Sequence, residues 1–114
     1  MRVLLLADNP TLAHTFALSL SLEGYSVLAL TSPHDALNLI QETDTLVTDY
    51  HLPDMTGLEV ARRAYDQGWR GPLLLMSGHV ATVAEEARQP HSILQKPFSV
   101  QELIEALEPK TSKE

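Results

Sequence analysis

In the stretch Leu46-Val47-Thr48-Asp49-Tyr50-His51-Leu52-Pro53-Asp54-Met55-Thr56-Gly57, an apolar, β-branched run ends on an aspartate. A turn containing Pro53 and Gly57 comes at once after it, and residues from Leu58 onward take a helical pattern. An acid at the C-terminal end of a buried strand faces the crevice in which open α/β sheets hold their ligands. A carboxylate there is costly unless its charge is used, as metal ligand, base or nucleophile. A lone aspartate in such a place is more often a solvated turn residue. Asp49 differs because of the polar residues that close the other apolar runs of the chain.

Working outward, five short apolar runs alternate with five helical patterns. Val3–Ala7 is continuously hydrophobic, as a strand buried on both faces should be. Pro10 suits the first turn of a helix running to Glu23, and Gly24 stops it. Tyr25–Leu30 is the second strand. Ser32 and Pro33 open a helix to about Gln41. After Asp49 come a helix over Leu58–Tyr65 closed by Gly68, a strand over Leu73–Met76, a short and poorly patterned helix over Ala81–Arg88, and a strand over Ser92–Gln95. Ser99 caps a last helix whose Val100, Leu103, Ile104 and Leu107 recur at core-facing spacing. On the first helix Leu12, Phe16 and Leu20 form the core stripe, while Leu18 and Leu22 lie roughly 100° or more away from it.

Alternation of this kind implies parallel strands joined by right-handed crossovers, with helices on both faces. The fold class is α/β, a flavodoxin-like doubly wound sheet of five parallel strands with five helices. The order 2-1-3-4-5 is chosen because its switch point falls between the strands ending near Asp8 and at Asp49.

At 114 residues there is room for one domain and one core. The expected division is a domain over residues 1–109 and a disordered tail over 110–114. A hydrophobic content of 44% excludes a disordered chain, and no apolar run approaches the length of a membrane span. Val3–Ala7 meets Asp8 too soon to be a signal-peptide core, and there is no cysteine for a disulfide framework or a thiolate metal site. A cytoplasmic location is the expectation. Net charge is −7, from 8 Lys and Arg against 15 Asp and Glu, with no basic cluster of the kind nucleic-acid binding requires. The five histidines, His14, His34, His51, His79 and His91, show no metal-ligand spacing, and Trp69 is expected as a partly buried cover.

The residues just past the strand ends complete the site. Strand one gives Asp8, strand three Asp49, strand four Ser77 and strand five Lys96-Pro97. Two carboxylates suit a hard cation such as Mg²⁺, which takes one or two carboxylates beside water and phosphate oxygens. Ser77 and Lys96 suit the oxygens of a phosphoryl group. Asp49 can then be a nucleophile that forms an acyl phosphate.

Here the chain resembles the receiver domains of two-component response regulators, over essentially Arg2 to Leu107. The resemblance rests on Ala7-Asp8-Asn9-Pro10, on Asp49 with Leu52-Pro53-Asp54-Met55-Thr56-Gly57, on Met76-Ser77-Gly78 and on Lys96-Pro97-Phe98. It implies that Asp49 accepts the phosphoryl group, that Asp8, Asp49 and the backbone carbonyl of His51 hold Mg²⁺, and that Ser77 is the switch hydroxyl. Lys96 would pair with Asp49 and then with the phosphate, across a cis bond to Pro97. The implied partners are a histidine kinase or histidine phosphotransfer protein and a downstream protein target, with Leu18 and Leu22 as one candidate docking patch or simply surface leucines. His51 and His79, each two residues beyond a site residue, occupy positions that can tune hydrolysis.

Three departures from the family pattern stand out. Ala7 replaces the first of two adjacent acids, Ile93 replaces an aromatic switch residue, and the segment between Ser77 and Lys96 is about one helical turn short, without the usual Gly-Ala. Ala7 and Ile93 keep open a second reading, a degenerate receiver that binds partners without phosphorylation. A haloacid-dehalogenase-type phosphatase would need an acid at position 51, where His51 stands. A flavodoxin proper would not place Asp8 where flavin phosphate sits.

Overall fold

The computed structural model describes residues 2–78 and 92–107. The elements run β1 (Arg2–Leu6), α1 (Pro10–Leu22), β2 (Ser26–Leu30), α2 (Pro33–Leu39), a 3₁₀ turn (Ile40–Glu42), β3 (Thr45–Asp49), α3 (Gly57–Asp66), β4 (Leu73–Ser77), β5 (Ser92–Gln95) and α4 (Val100–Leu107). All five strands are parallel and stand in the order β2-β1-β3-β4-β5, as expected. Four α-helices lie among the described residues. The expected helix over Ala81–Arg88 and the tail over 110–114 fall outside them.

Strand alternation divides the core into two layers. Leu4, Leu6, Leu46 and Leu75 point to one face and pack with α2 and α3. Val3, Leu5, Val47, Leu74 and Met76 point to the other and pack with Ala13, Phe16 and Leu20 of α1 and with Leu103, Ile104 and Leu107 of α4. The helix starts are capped by the chain itself. The N–H of Leu12 donates to Asn9 Oδ1, that of Asp35 to Ser32 Oγ and that of Glu59 to Thr56 Oγ1. Ser99 and Glu102 form a reciprocal capping box. Gly24 and Gly68, both at φ +97°, take the left-handed turn after α1 and α3.

Three local expectations need correction. Leu12 is 42% exposed and not in the core, because the buried stripe of α1 is centred on Ala13, Phe16 and Leu20 and the first turn overhangs the sheet rim. The second helix ends at Leu39, and the segment to Glu42 tightens into a 3₁₀ turn. Trp69 is fully buried: its indole N–H donates to the Thr43 carbonyl at 3.0 Å and its ring stacks on Tyr65. Burial pushes the Tyr65 hydroxyl above its ordinary value, and nearby Arg70 partly opposes the shift.

Candidate functional site at the C-terminal rim of the sheet

Each candidate side chain sits where a strand stops. Asp49 is the last residue of β3 and is 4% exposed. Its Oδ2 accepts the backbone N–H of Asp8 at 3.3 Å, one step past the end of β1. Its Oδ1 pairs with Lys96 Nζ at 2.5 Å. Lys96 comes directly after β5, joins Pro97 through a cis peptide bond, and donates its backbone N–H to the Ser77 carbonyl at 2.8 Å. Ser77 ends β4 and is 2% exposed. Strands one, three, four and five thus bring Asp8, Asp49, Ser77 and Lys96 to one rim.

The loop after β3 is held by its own backbone. The Tyr50 N–H donates to the Met76 carbonyl, the Gly57 N–H to the Tyr50 carbonyl at 2.6 Å, and His51 bridges Thr56. Gly57 opens α3 against the end of β3. A Cβ there would fall within contact of the Asp49 carbonyl oxygen and 2.9 Å from Thr48 Cγ2. Thr48 Oγ1 donates to the same Asp49 carbonyl at 2.9 Å. Gly57 and Thr48 are positioning residues that sequence reasoning missed. Gly57 reads from sequence as a turn residue, and its presence at the first helical position was the available signal.

Beside the rim, Leu12, Phe16, Lys96, Pro97 and Phe98 line an apolar groove of about 250 Å³, in which Phe16 and Phe98 stack with centroids 5.3 Å apart. Leu18 and Leu22 are exposed, as expected, and Leu22 reaches 88%. His14, His34 and His51 are exposed; His79 and His91 lie outside the described residues. Ala7 is 5% exposed and packs into the apolar layer with Ala13 and Phe16. Ile93 is half-buried against the opposite layer.

Residues 3–108 match the response regulator receiver domain family. The chain belongs to that family. The cell cycle response regulators CtrA of Brucella ovis and Brucella abortus are each 31% identical to it over 110 residues, covering 91% of this chain and 47% of theirs. The chain therefore spans about half the length of these curated relatives. A response regulator receiver protein from Sinorhizobium medicae superposes with a TM-score of 0.81 at 31% identity, over 93% of this chain and 90% of that one. The receiver domain of the hybrid histidine kinase CckA gives 0.77 at 25%, over 92% of this chain and 94% of that one. The receiver is thus a module of two-component signalling, and no helix among its described residues is long and apolar enough to cross a membrane.

Receiver domains generally bind Mg²⁺ beside their phosphorylation site. Among the described residues of this receiver, no three His, Cys, Asp or Glu side chains cluster as a metal cage. The rim instead brings together two acids, Asp8 and Asp49, joined by the hydrogen bond from the Asp8 N–H to Asp49 Oδ2. Mg²⁺ needs no more protein than that, because it keeps several waters and takes phosphate oxygens as its other ligands.

Proposed function

We propose that this receiver accepts a phosphoryl group from a phosphohistidine onto Asp49, with Mg²⁺ bound through Asp8, Asp49 and the His51 carbonyl, and signals by protein contact. The observation that carries the proposal is the buried Asp49 carboxylate paired with Lys96 at the crevice of the sheet. The Lys96 ammonium balances the charge of this carboxylate and holds it by a charge-assisted hydrogen bond in the crevice, where a nucleophile is needed.

In the step itself, an Asp49 oxygen forms a bond to phosphorus as the phosphorus–nitrogen bond breaks. The electron pair and a proton remain on the departing imidazole. Lys96 then turns its ammonium from the carboxylate to a phosphoryl oxygen, and Ser77 supplies a hydroxyl to another. The bound metal ion would neutralise charge on the transferred group. Hydrolysis by water returns the free carboxylate. The donor would be a histidine kinase or histidine phosphotransfer protein, and the groove at Leu12, Phe16 and Phe98, which shares Lys96 with the site, is a surface it could meet beside Asp49. The output would be a downstream protein target met by surface contact.

Incubation with Mg²⁺ and acetyl phosphate should add one phosphoryl mass to the wild type and none to Asp49→Asn. Equal modification of the variant would move the chemistry to another residue. No modification of the wild type at high Mg²⁺ would favour a degenerate receiver, the reading to which a buried Ala7 in place of an acid lends weight.

A further inference from the structure

An ammonium on a flexible four-carbon stem is poorly placed unless something besides its charge partner holds it. Lys96 leaves 39% of its side chain exposed, whereas Asp49 is buried. Water therefore competes for the ammonium from one side. The backbone N–H of Lys96 donates to the Ser77 carbonyl, which fixes where the residue leaves β5. That bond alone does not fix how the turn beyond it leans toward Asp49.

Two residues further on, the ring of Phe98 stacks on the ring of Phe16, with planes 19° from parallel. Phe16 belongs to α1 and sits in the core layer with Ala7 and Met76. Phe98 itself is only half-buried. Lys96, Pro97 and both rings wall the same groove. The turn that carries Lys96 is thus braced against α1 by an aromatic pair. Phe98 is not what starts or buries α4. The Ser99–Glu102 capping box starts it, and Leu103, Ile104 and Leu107 bury it. Stacked rings constrain orientation as well as separation, which an aliphatic contact of similar size does not.

We propose that the Phe16–Phe98 stack is a positioning device for the Lys96 ammonium. It holds the turn after β5 against α1, so that Nζ stays on Asp49 and, after transfer, on a phosphoryl oxygen. The inference rests on the reading of Asp49 and Lys96 as the reacting pair. Phe16 and Phe98 are positioning residues, acting through Lys96 and not on the transferred group. Without the stack the turn gains freedom, Nζ samples more places, and the productive geometry is populated less often.

Phe98→Leu removes the ring and keeps an apolar side chain. Phe98→Tyr keeps the ring and, from a half-buried place, can turn its hydroxyl to water. Modification by acetyl phosphate should be about tenfold slower in Phe98→Leu, within the loss of up to about 100-fold that ångström-scale misplacement can cause. Phe98→Tyr should restore a rate close to that of the wild type. In a Lys96→Met background Phe98→Leu should slow nothing further, because the ammonium it positions is gone. A merely structural role would slow both backgrounds alike.

The unphosphorylated protein supplies a second readout. By NMR at low temperature the isotope-labelled ammonium nitrogen of Lys96, assigned by its loss in Lys96→Met, should be visible in the wild type and in Phe98→Tyr. In Phe98→Leu, exchange with water should broaden it away. This signal decides the inference even where the wild type takes up no phosphoryl group, a result that would defeat the Asp49 reading alone. An ammonium signal equal in Phe98→Leu and the wild type, one missing from the wild type, or equal slowing in the Lys96→Met background would each overturn the proposal. Phe16→Leu repeats the test from α1. Unfolding of both leucine variants, seen by circular dichroism, would make the rings core packing and overturn it too.

Discussion

Gly57→Ala sets two physical effects of opposite sign against each other at one atom. Gly57 is the first residue of α3, and its φ lies outside the left-handed region, so alanine meets no backbone strain there. On helix propensity alone the substitution should stabilise the protein by up to about 1 kcal/mol. The added Cβ, however, would lie 2.9 Å from Thr48 Cγ2 and 3.1 Å from the Asp49 carbonyl carbon. Carbon atoms rest at about 3.5–4.0 Å, so α3 must retreat by on the order of 1 Å. The neighbours cannot yield instead: one is the backbone of β3, and the other is a methyl of a fully buried threonine. Overpacking of this kind costs about 1–3 kcal/mol, and stretching the Gly57 hydrogen bond to the Tyr50 carbonyl adds about 1 kcal/mol. The balance is a loss of about 1–3 kcal/mol, read as a lower urea midpoint at unchanged slope. Because the clash is with the carbonyl of Asp49, the proposed phosphoacceptor, modification by acetyl phosphate should slow as well, by up to about 100-fold for a displacement near 1 Å. A midpoint equal to or above that of the wild type would refute the close-approach argument.

Ala7→Asp should tighten Mg²⁺ binding in a calorimetric titration by supplying a second acid beside Asp8. Without metal it should lower stability by about 1–3 kcal/mol, since Ala7 is buried in an apolar layer next to Asp8 and Asp49; an unchanged titration would mean that this position does not face the metal. Surface charge on α1 should slow transfer from the cognate phosphohistidine protein while leaving acetyl phosphate unaffected, in the order Leu12→Glu above Leu18→Glu above Leu22→Glu. Leu12 shares a groove with Lys96, whereas Leu22 lies at the far end of the helix; equal rates for all three would remove α1 from the docking surface.

The sheet was legible in the sequence because parallel strands buried on both faces leave continuous apolar runs. Val3–Ala7, Leu46–Thr48 and Leu73–Met76 each lie within a residue of β1, β3 and β4. The strand order came from one physical constraint, that Asp8 and Asp49 share a switch point. Side-chain burial on the helices was less legible, because it depends on where a helix ends relative to the sheet. Periodicity puts Leu12 on the stripe of Phe16 and Leu20, but the first turn of α1 projects beyond the rim. Trp69 was misjudged for a related reason. Its neighbouring glycines suggest a partly buried cover, and only the fold brings the Thr43 carbonyl to its indole N–H.

The site was legible in its side chains and illegible in its backbone. Asp8, Asp49, Ser77 and Lys96 announce themselves as polar residues closing apolar runs, and the fold gathers them because all its strands run in one direction. What fixes Asp49 is mostly main chain: the N–H of Asp8 on its carboxylate, the Met76 carbonyl under Tyr50, and the bare Cα of Gly57 against its own carbonyl. Such contacts place no demand on residue type, except where a side chain must be missing. This explains how the receiver can lose the acid at Ala7 and the aromatic at Ile93 while Asp49 and Lys96 stay in register. In the proposed function those two positions would act on the metal and on the output, not on the frame that holds Asp49. Gly57 belongs to that frame, and of the rim's backbone devices it is the one whose signature a sequence can carry.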